Sequence, residues 1–297
     1  MTSTAFATRG LCKHFGRHRV IDGLVMEVRE GETYGFLGRN GAGKSTVIHM
    51  LLGIVKPDGG EVEMFGRRTR CPPPAWRRDI GFVAQEPRFD PWATAEDIGR
   101  FVAAFHPTWE DGLYRQLLAA LVVPTQQKSE TLSVGTRTKL ALAVALAHRP
   151  RVLILDEPTA GLDPIARREF QSIVRDTSRS HVRTTFFSSH NIDDIERLAD
   201  RVGVLDGGRL RYEGALDAVT AEVRAVDFSG WLDPSLPAPR PPGFELLRVA
   251  RAPRFVATYR AVAAHWDTAD IPPERVARVG FEDAVVALMT PPEGIGR

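Results

Sequence analysis

Residues 38–46 read GRNGAGKST, a run with three glycines, one lysine and two adjacent hydroxyl residues. The pattern is that of a phosphate-binding loop, G-x-x-x-x-G-K-[ST], with Gly38, Gly43, Lys44 and Ser45 at the defining positions. Glycines let the backbone curl closely enough for successive N–H groups, here those of Asn40, Gly41, Ala42 and Gly43, to hold phosphate oxygens. A helix starting at Lys44 would aim its positive end at the same anion. Lys44 would reach the β- and γ-phosphates, the Ser45 hydroxyl would bind Mg²⁺, and Thr46 would contact the α-phosphate. A second stretch, VLILDE at 152–157, ends four apolar residues in two adjacent carboxylates. Asp156 would hold Mg²⁺ through water, and Glu157 would polarise an attacking water as general base. The NKxD motif that reads guanine is absent, which favours ATP over GTP.

These groups need rigid elements behind them. ETYGFLG (32–38), RVLILD (151–156) and TTFFSSH (184–190) read as buried strands. A helix is expected from Lys44 to Leu52, with Val47, Ile48, Leu51 and Leu52 on one side and Gly53 as its stop. The alternation predicts an α/β fold, a P-loop nucleotide-hydrolase core with crossover helices. Helical patterning from about 87 to 150, with Leu113, Leu117, Leu118 and Leu121 on one face, predicts a helical subdomain. Five prolines between Pro234 and Pro242 suggest a linker or rigid loop, followed by strand-like RFVATYRAV and helix-like FEDAVVALM. We expect a nucleotide domain over 1–219 and a small α+β accessory domain over 220–297.

Composition bounds the rest. The chain has 297 residues, 43% hydrophobic and 26% charged, as soluble globular proteins do. A net charge of +2 gives no reason to expect nucleic acid as a partner. Only five lysines occur, so finding one at the loop's key position adds weight. Cys12 and Cys71 form no CxxC pair, which argues against a zinc site or disulfide framework and fits a reducing, cytoplasmic setting. No signal-like N-terminal segment is evident, and no apolar run approaches the ~18–20 residues that span a bilayer. If the protein works at a membrane, another chain must do the crossing.

From about residue 8 to 214 the sequence resembles the ATP-binding subunits of ABC transporters, with the family's motifs in order. The resemblance implies an added antiparallel β subdomain and assigns further residues. Phe15, in LCKHFG, matches the aromatic that stacks on adenine. Gln85, in GFVAQEP, matches the glutamine that senses Mg²⁺ and the attacking water. LSVGT (132–136) matches the signature loop, through which Ser133 and the N–H of Gly135 would reach the γ-phosphate bound by a second subunit. DEPTAGLD (156–163) holds the acid pair and ends at Asp163, and His190 matches the histidine that contacts the γ-phosphate.

The usual signature is LSGGQ, so Val134 and Thr136 depart from it. A β-branched residue at 134 argues against a left-handed backbone there, and weaker contact across the dimer is expected. One loop and one signature per chain imply a head-to-tail dimer, either two copies of this chain or a heterodimer with a related ATPase. The resemblance further implies a separate transmembrane permease as partner, a place on the cytoplasmic face of the membrane, and ATP with Mg²⁺ as ligands. GFEDAVVALM and the short C-terminal region resemble the exporter branch. The alternative is a soluble, mechanical or regulatory ABC ATPase. Phe89 and Trp92, in EPRFDPWAT, would either face a membrane subunit or pack inside the helical subdomain.

Overall fold

The computed structural model describes residues 3–180, 184–233, 235, 237–250, 255–268 and 271–289. It divides into two compact units, Met1–Leu210 and Arg211–Arg297. The first opens with strands β1 (Thr4–Phe15) and β2 (His18–Arg29), paired antiparallel. Along β2, Leu24, Met26 and Val28 are buried while Val25, Glu27 and Arg29 are exposed. This two-residue period marks a strand with one face on the core.

Strand β3 (Thr33–Gly38) is buried along its whole length and runs directly into the glycine loop and helix α1 (Lys44–Leu51). Strands β4 (Gly59–Met64) and β5 (Arg67–Thr69) return to the antiparallel sheet, whose order is β2-β1-β4-β5. Strand β6 (Ile80–Val83) leads into helices α2 (Ala95–Ala103), α3 (Asp111–Ala120) and α4 (Val134–Leu146). Thr94 caps α2 in a reciprocal box with Asp97, so two orphan N–H groups are satisfied at its start. Tyr114 of α3 donates its hydroxyl to Ala95 O at 2.7 Å, and its ring fills the space left by Gly99. The buried face of α3 is therefore Tyr114 and Leu118, with Leu121 buried just beyond the helix. Leu113 and Leu117, placed on the buried face from periodicity, sit half-buried at its edge.

Strand β7 (Val152–Leu155), helix α5 (Pro164–Ser180), strand β8 (Thr184–Ser189), helix α6 (Ile192–Leu198) and strands β9 (Arg201–Asp206) and β10 (Arg209–Ala215) complete the second sheet. Its order is β10-β9-β3-β8-β7-β6, with β9, β3, β8, β7 and β6 parallel to one another. Parallel strands covered on both faces read as continuous apolar runs, which is why these were legible. The ring of Phe186, on β8, packs against Phe6, Tyr34 and Phe36, joining both sheets and the buried side of α1 into one core.

The second unit holds helix α7 (Leu216–Glu222), strands β11 (Val223–Asp227), β12 (Glu245–Ala250) and β13 (Val256–Arg260), helix α8 (Ala263–Thr268), strand β14 (Val276–Arg278) and helix α9 (Phe281–Met289). Its antiparallel sheet runs β12-β13-β11-β14 over a core that includes Val226, Phe228, Phe255, Tyr259 and Trp266. Pro234 lies outside the described residues. The rest of the proline-rich stretch belongs to this unit rather than linking two: Ala238 is buried in its core and Pro239 O accepts from Tyr259 Oη at 2.7 Å.

Candidate nucleotide site

The glycine loop turns between β3 and α1 because the sequence removes every side chain that would block it. Gly43, the residue before the helix, has φ +104°, and a Cβ there would lie 2.6 Å from Ile21 Cδ1. At the other end, a Cβ on Gly38 would lie 2.8 Å from Leu205 O of β9. The first turn of α1 then places Lys44, Ser45 and Thr46 on a pocket of about 340 Å³. Asn40, Gly41, Gly43, Gln85, Glu157 and His190 share that pocket.

Three polar side chains converge there. Lys44 Nζ lies 2.9 Å from Glu157 Oε1, and His190 Nδ1 lies 2.7 Å from Glu157 Oε2. Lys44 is 4% exposed, and its ammonium also donates to Gly38 O at 2.7 Å and Arg39 O at 3.1 Å. Burial pushes the Glu157 carboxyl up, but the Lys44 ammonium, followed by His190, outweighs it and holds the acid below its ordinary range. Glu157 is thus an anion at neutral pH, as a group that accepts a proton must be. Its backbone has φ +43°, although a residue before proline normally stays extended. The strain is local to the residue whose carboxylate meets Lys44 and His190.

Asp156 is buried beside it at the end of β7. The Ser188 hydroxyl donates to Asp156 Oδ1 at 2.7 Å and accepts from Glu157 N at 2.9 Å, tying both acids to β8. A second network lies behind His190. Asp194, 1% exposed, accepts from Thr159 Oγ1 at 2.6 Å, Gln171 Nε2 at 2.7 Å and Ser189 Oγ at 3.1 Å. Ser189 Oγ also accepts from Asn191 N at 2.9 Å, bracing the backbone on either side of His190. Sequence reading passed over Ser188 and Asp194. The one signal was two serines following a pair of phenylalanines at the end of a strand before His190.

Several residues matched to the site lie elsewhere on this chain. Phe15 is 52% exposed at the end of β1, with Lys13 Nζ 5.3 Å from its ring centre, and does not line the pocket. Ala42 is buried within the loop. Ser133 and Asp163 are exposed, and neither they nor Gly135 reach the pocket. Ser133 caps α4 by accepting from Thr136 N at 3.1 Å, and its hydroxyl also meets Thr136 Oγ1 at 2.8 Å. Val134 begins the helix and is absent from the positive-φ residues, as a β-branched side chain requires. Beyond Gln85, Phe89 lines a groove of about 620 Å³ with Pro91, Val134 and Arg137. Trp92 is 68% exposed with Lys128 Nζ 4.4 Å from its ring centre, so it does not pack into the helical core.

A hard divalent cation calls for oxygen ligands. The Ser45 hydroxyl makes no side-chain hydrogen bond among the described residues, Asp156 keeps one oxygen beyond the Ser188 contact, and Gln85 adds an amide oxygen on the same pocket. These donors fit Mg²⁺.

Comparison with known proteins agrees with this geometry. The family model described as ABC transporter matches residues 21–160. The bacitracin transport ATP-binding protein BcrA of Bacillus licheniformis is 37% identical over 219 residues, covering 72% of this chain and 71% of that protein. The Nod factor export ATP-binding protein I of Burkholderia orbicola is 36% identical over 222 residues, 71% of each chain. Among solved structures, cbiO1 of Clostridium perfringens, part of the ABC transporter complex cbiONQ, is 25% identical with a TM-score of 0.62, covering 72% of this chain and 89% of that one. Among the described residues no helix is long and apolar enough to cross a membrane. The chain belongs to the ABC transporter family, as one of its ATP-binding, ATP-hydrolysing subunits.

Proposed function

We propose that this chain binds ATP with Mg²⁺ in the pocket above α1 and hydrolyses it to ADP and phosphate with Glu157 as general base. The observation that carries the reading is the convergence of Lys44 and His190 on the two oxygens of one buried carboxylate. A phosphate placed against the loop competes with Glu157 for the Lys44 ammonium. Relieved of that partner, Glu157 turns its carboxylate to a water, and His190 remains to hold the γ-phosphate side of the pocket. The loop N–H groups of Asn40, Gly41, Ala42 and Gly43 hold the phosphates, and Ser45, Asp156 and Gln85 would hold the cation, which neutralises phosphate charge when bound.

Phe15, Ser133, Gly135 and Asp163 fit this scheme as groups that complete the site in a closed assembly. Ser133, Gly135 and Asp163 would act on a second copy's nucleotide, so two chains would close head-to-tail around two ATP. The exposed Trp92 and the groove beyond Gln85 support a membrane-embedded permease as the partner that this closure drives. The chain would then lie on the cytoplasmic face of the membrane. Relatives described as transporting bacitracin or exporting Nod factor support export as the direction. The test is Glu157→Gln, expected to lower kcat by at least a hundredfold while retaining ATP and yielding a stable dimer on gel filtration. Turnover at the wild-type rate would remove Glu157 from the role of base.

A further inference from the structure

The accessory unit holds a pocket of mixed cationic and apolar lining. It is about 630 Å³, and Arg224, Trp266, Asp267, Pro272, Val276 and Arg278 are among the residues that line it. Arg224 of β11 and Arg278 of β14 stand directly opposite each other in the antiparallel pairing, as do Val226 and Val276 two residues away. Residues two apart on a strand share a face. One face of this strand pair therefore passes from valines packed in the Trp266 cluster to a pair of arginines. The Arg224 guanidinium lies 5.3 Å from the centre of the Trp266 ring.

Like charges placed directly opposite across strands repel. The same sheet shows the ordinary solution at another cross-strand pair, where Glu245 faces Arg260 and their side chains meet at 3.1 Å. Neither Arg224 nor Arg278 has a carboxylate within ion-pair distance among the described residues. Among the described residues the Arg224 side chain makes one hydrogen bond, a long one from Nε to Ala221 O at 3.4 Å, which leaves its terminal nitrogens without a hydrogen-bond partner there. Asp267 in the lining offsets one of the two positive charges, and the wall stays cationic. Guanidinium forks match carboxylates and phosphates in a bidentate manner, while a flat apolar wall suits a hydrocarbon or ring.

We propose that this pocket is a binding site for an amphipathic organic anion, a phosphate or carboxylate held between Arg224 and Arg278 with its apolar body against Trp266, Val276 and Pro272. Such a site gives the accessory unit a ligand of its own, separate from the nucleotide pocket.

The test uses the full-length protein with saturating ADP, so that the glycine loop is filled, and phenyl phosphate as the probe, followed by calorimetric titration. The expected result is saturable one-to-one binding, at least tenfold weaker for inorganic phosphate and at least tenfold weaker in Arg278→Glu. Arg278 is exposed, so its replacement spares the core, and without the probe Arg278→Glu should melt at a higher temperature because opposite charges then face each other. Arg278→Lys keeps the charge without the fork and should fall between the two. A second arm sediments the protein with phosphatidylglycerol-containing or pure phosphatidylcholine vesicles. Anionic-vesicle binding lost in Arg278→Glu assigns a lipid headgroup as source, whereas phenyl phosphate binding alone lost assigns a soluble anion. No saturable binding, or phenyl phosphate binding unchanged in Arg278→Glu, overturns the site.

Discussion

A buried carboxylate held by a buried ammonium dominates the chemistry at the scale of single residues. Breaking such a pair from one side leaves an uncompensated charge and costs about 3–5 kcal/mol. Lys44→Ala should therefore abolish nucleotide binding and also destabilise the nucleotide-free protein by about 3 kcal/mol near pH 7. Because the Glu157 carboxyl is held below its ordinary 4.5, its contribution is complete above that value and is lost as pH falls through the lower folded-state pKa. Denaturant unfolding of both proteins at pH 7 and pH 3 should show the stability gap narrowing in acid, and a constant gap would refute the pairing. Asp194 gives a second residue-scale prediction. It positions His190 through Ser189 without reaching the pocket, so Asp194→Ala leaves three donors short of an acceptor. We expect it to cost about 1–3 kcal/mol of stability and to lower kcat while KM for ATP stays within about twofold, with Asp194→Glu restoring part of kcat. An equal effect on kcat and KM would point to loss of the whole site. Of these residues, Lys44 and Glu157 stand in contiguous motifs, whereas His190 was singled out only by its match to the family's histidine after a strand. Asp194 and Ser188 were not legible, since a lone acid in a helix and a serine in a strand take their partners from other elements.

Secondary-structure elements act here as rigid mounts, and their junctions set the geometry. The loop between β3 and α1 has φ +104° at Gly43 and no room for a Cβ against Ile21. Gly43→Ala should cost several tenfold steps in ATP affinity, read by equilibrium titration, with a stability loss of about 1–2 kcal/mol from the left-handed backbone alone. Unchanged affinity would mean that the loop takes another path when it meets phosphate. Strands β3, β7 and β8 were readable from their apolar runs, and α1 from its four-residue periodicity and the glycine stop. The burial of α3 was only partly readable. Tyr114 turns inward because Gly99 of α2 leaves a space its ring fills, and periodicity within α3 carries no information about a gap in another helix. The expectation that Val134 avoids a left-handed backbone holds, but the hydroxyl contact between Ser133 and Thr136 depends on side-chain rotamers that spacing does not specify.

For the molecule as a whole, some residues matched to the nucleotide site stand apart from it in the single chain. Ser133 and Asp163 are exposed and away from the pocket that their motifs are matched to. If they complete a partner's site, Ser133→Ala in the Glu157→Gln background should abolish the ATP-dependent dimer on gel filtration while ATP binding by the monomer persists. Its cost to the monomer should be no more than about 1 kcal/mol, the worth of a helix cap. A dimer that survives the substitution would require a different pairing. The sequence by itself determined the family, the α/β core, the phosphate loop and the acid pair, because each depends on residues close together in the chain and on the short-range geometry of strand, turn and helix. The tertiary structure alone decided that Lys44 and His190 share one carboxylate, that Ser188 and Asp194 brace them, and that two arginines face each other on the accessory sheet. Apart from the short reach of Asp194 to Ser189, those contacts join residues separated by tens to more than a hundred positions. Strand order and register bring them together, and neither is written in any local pattern.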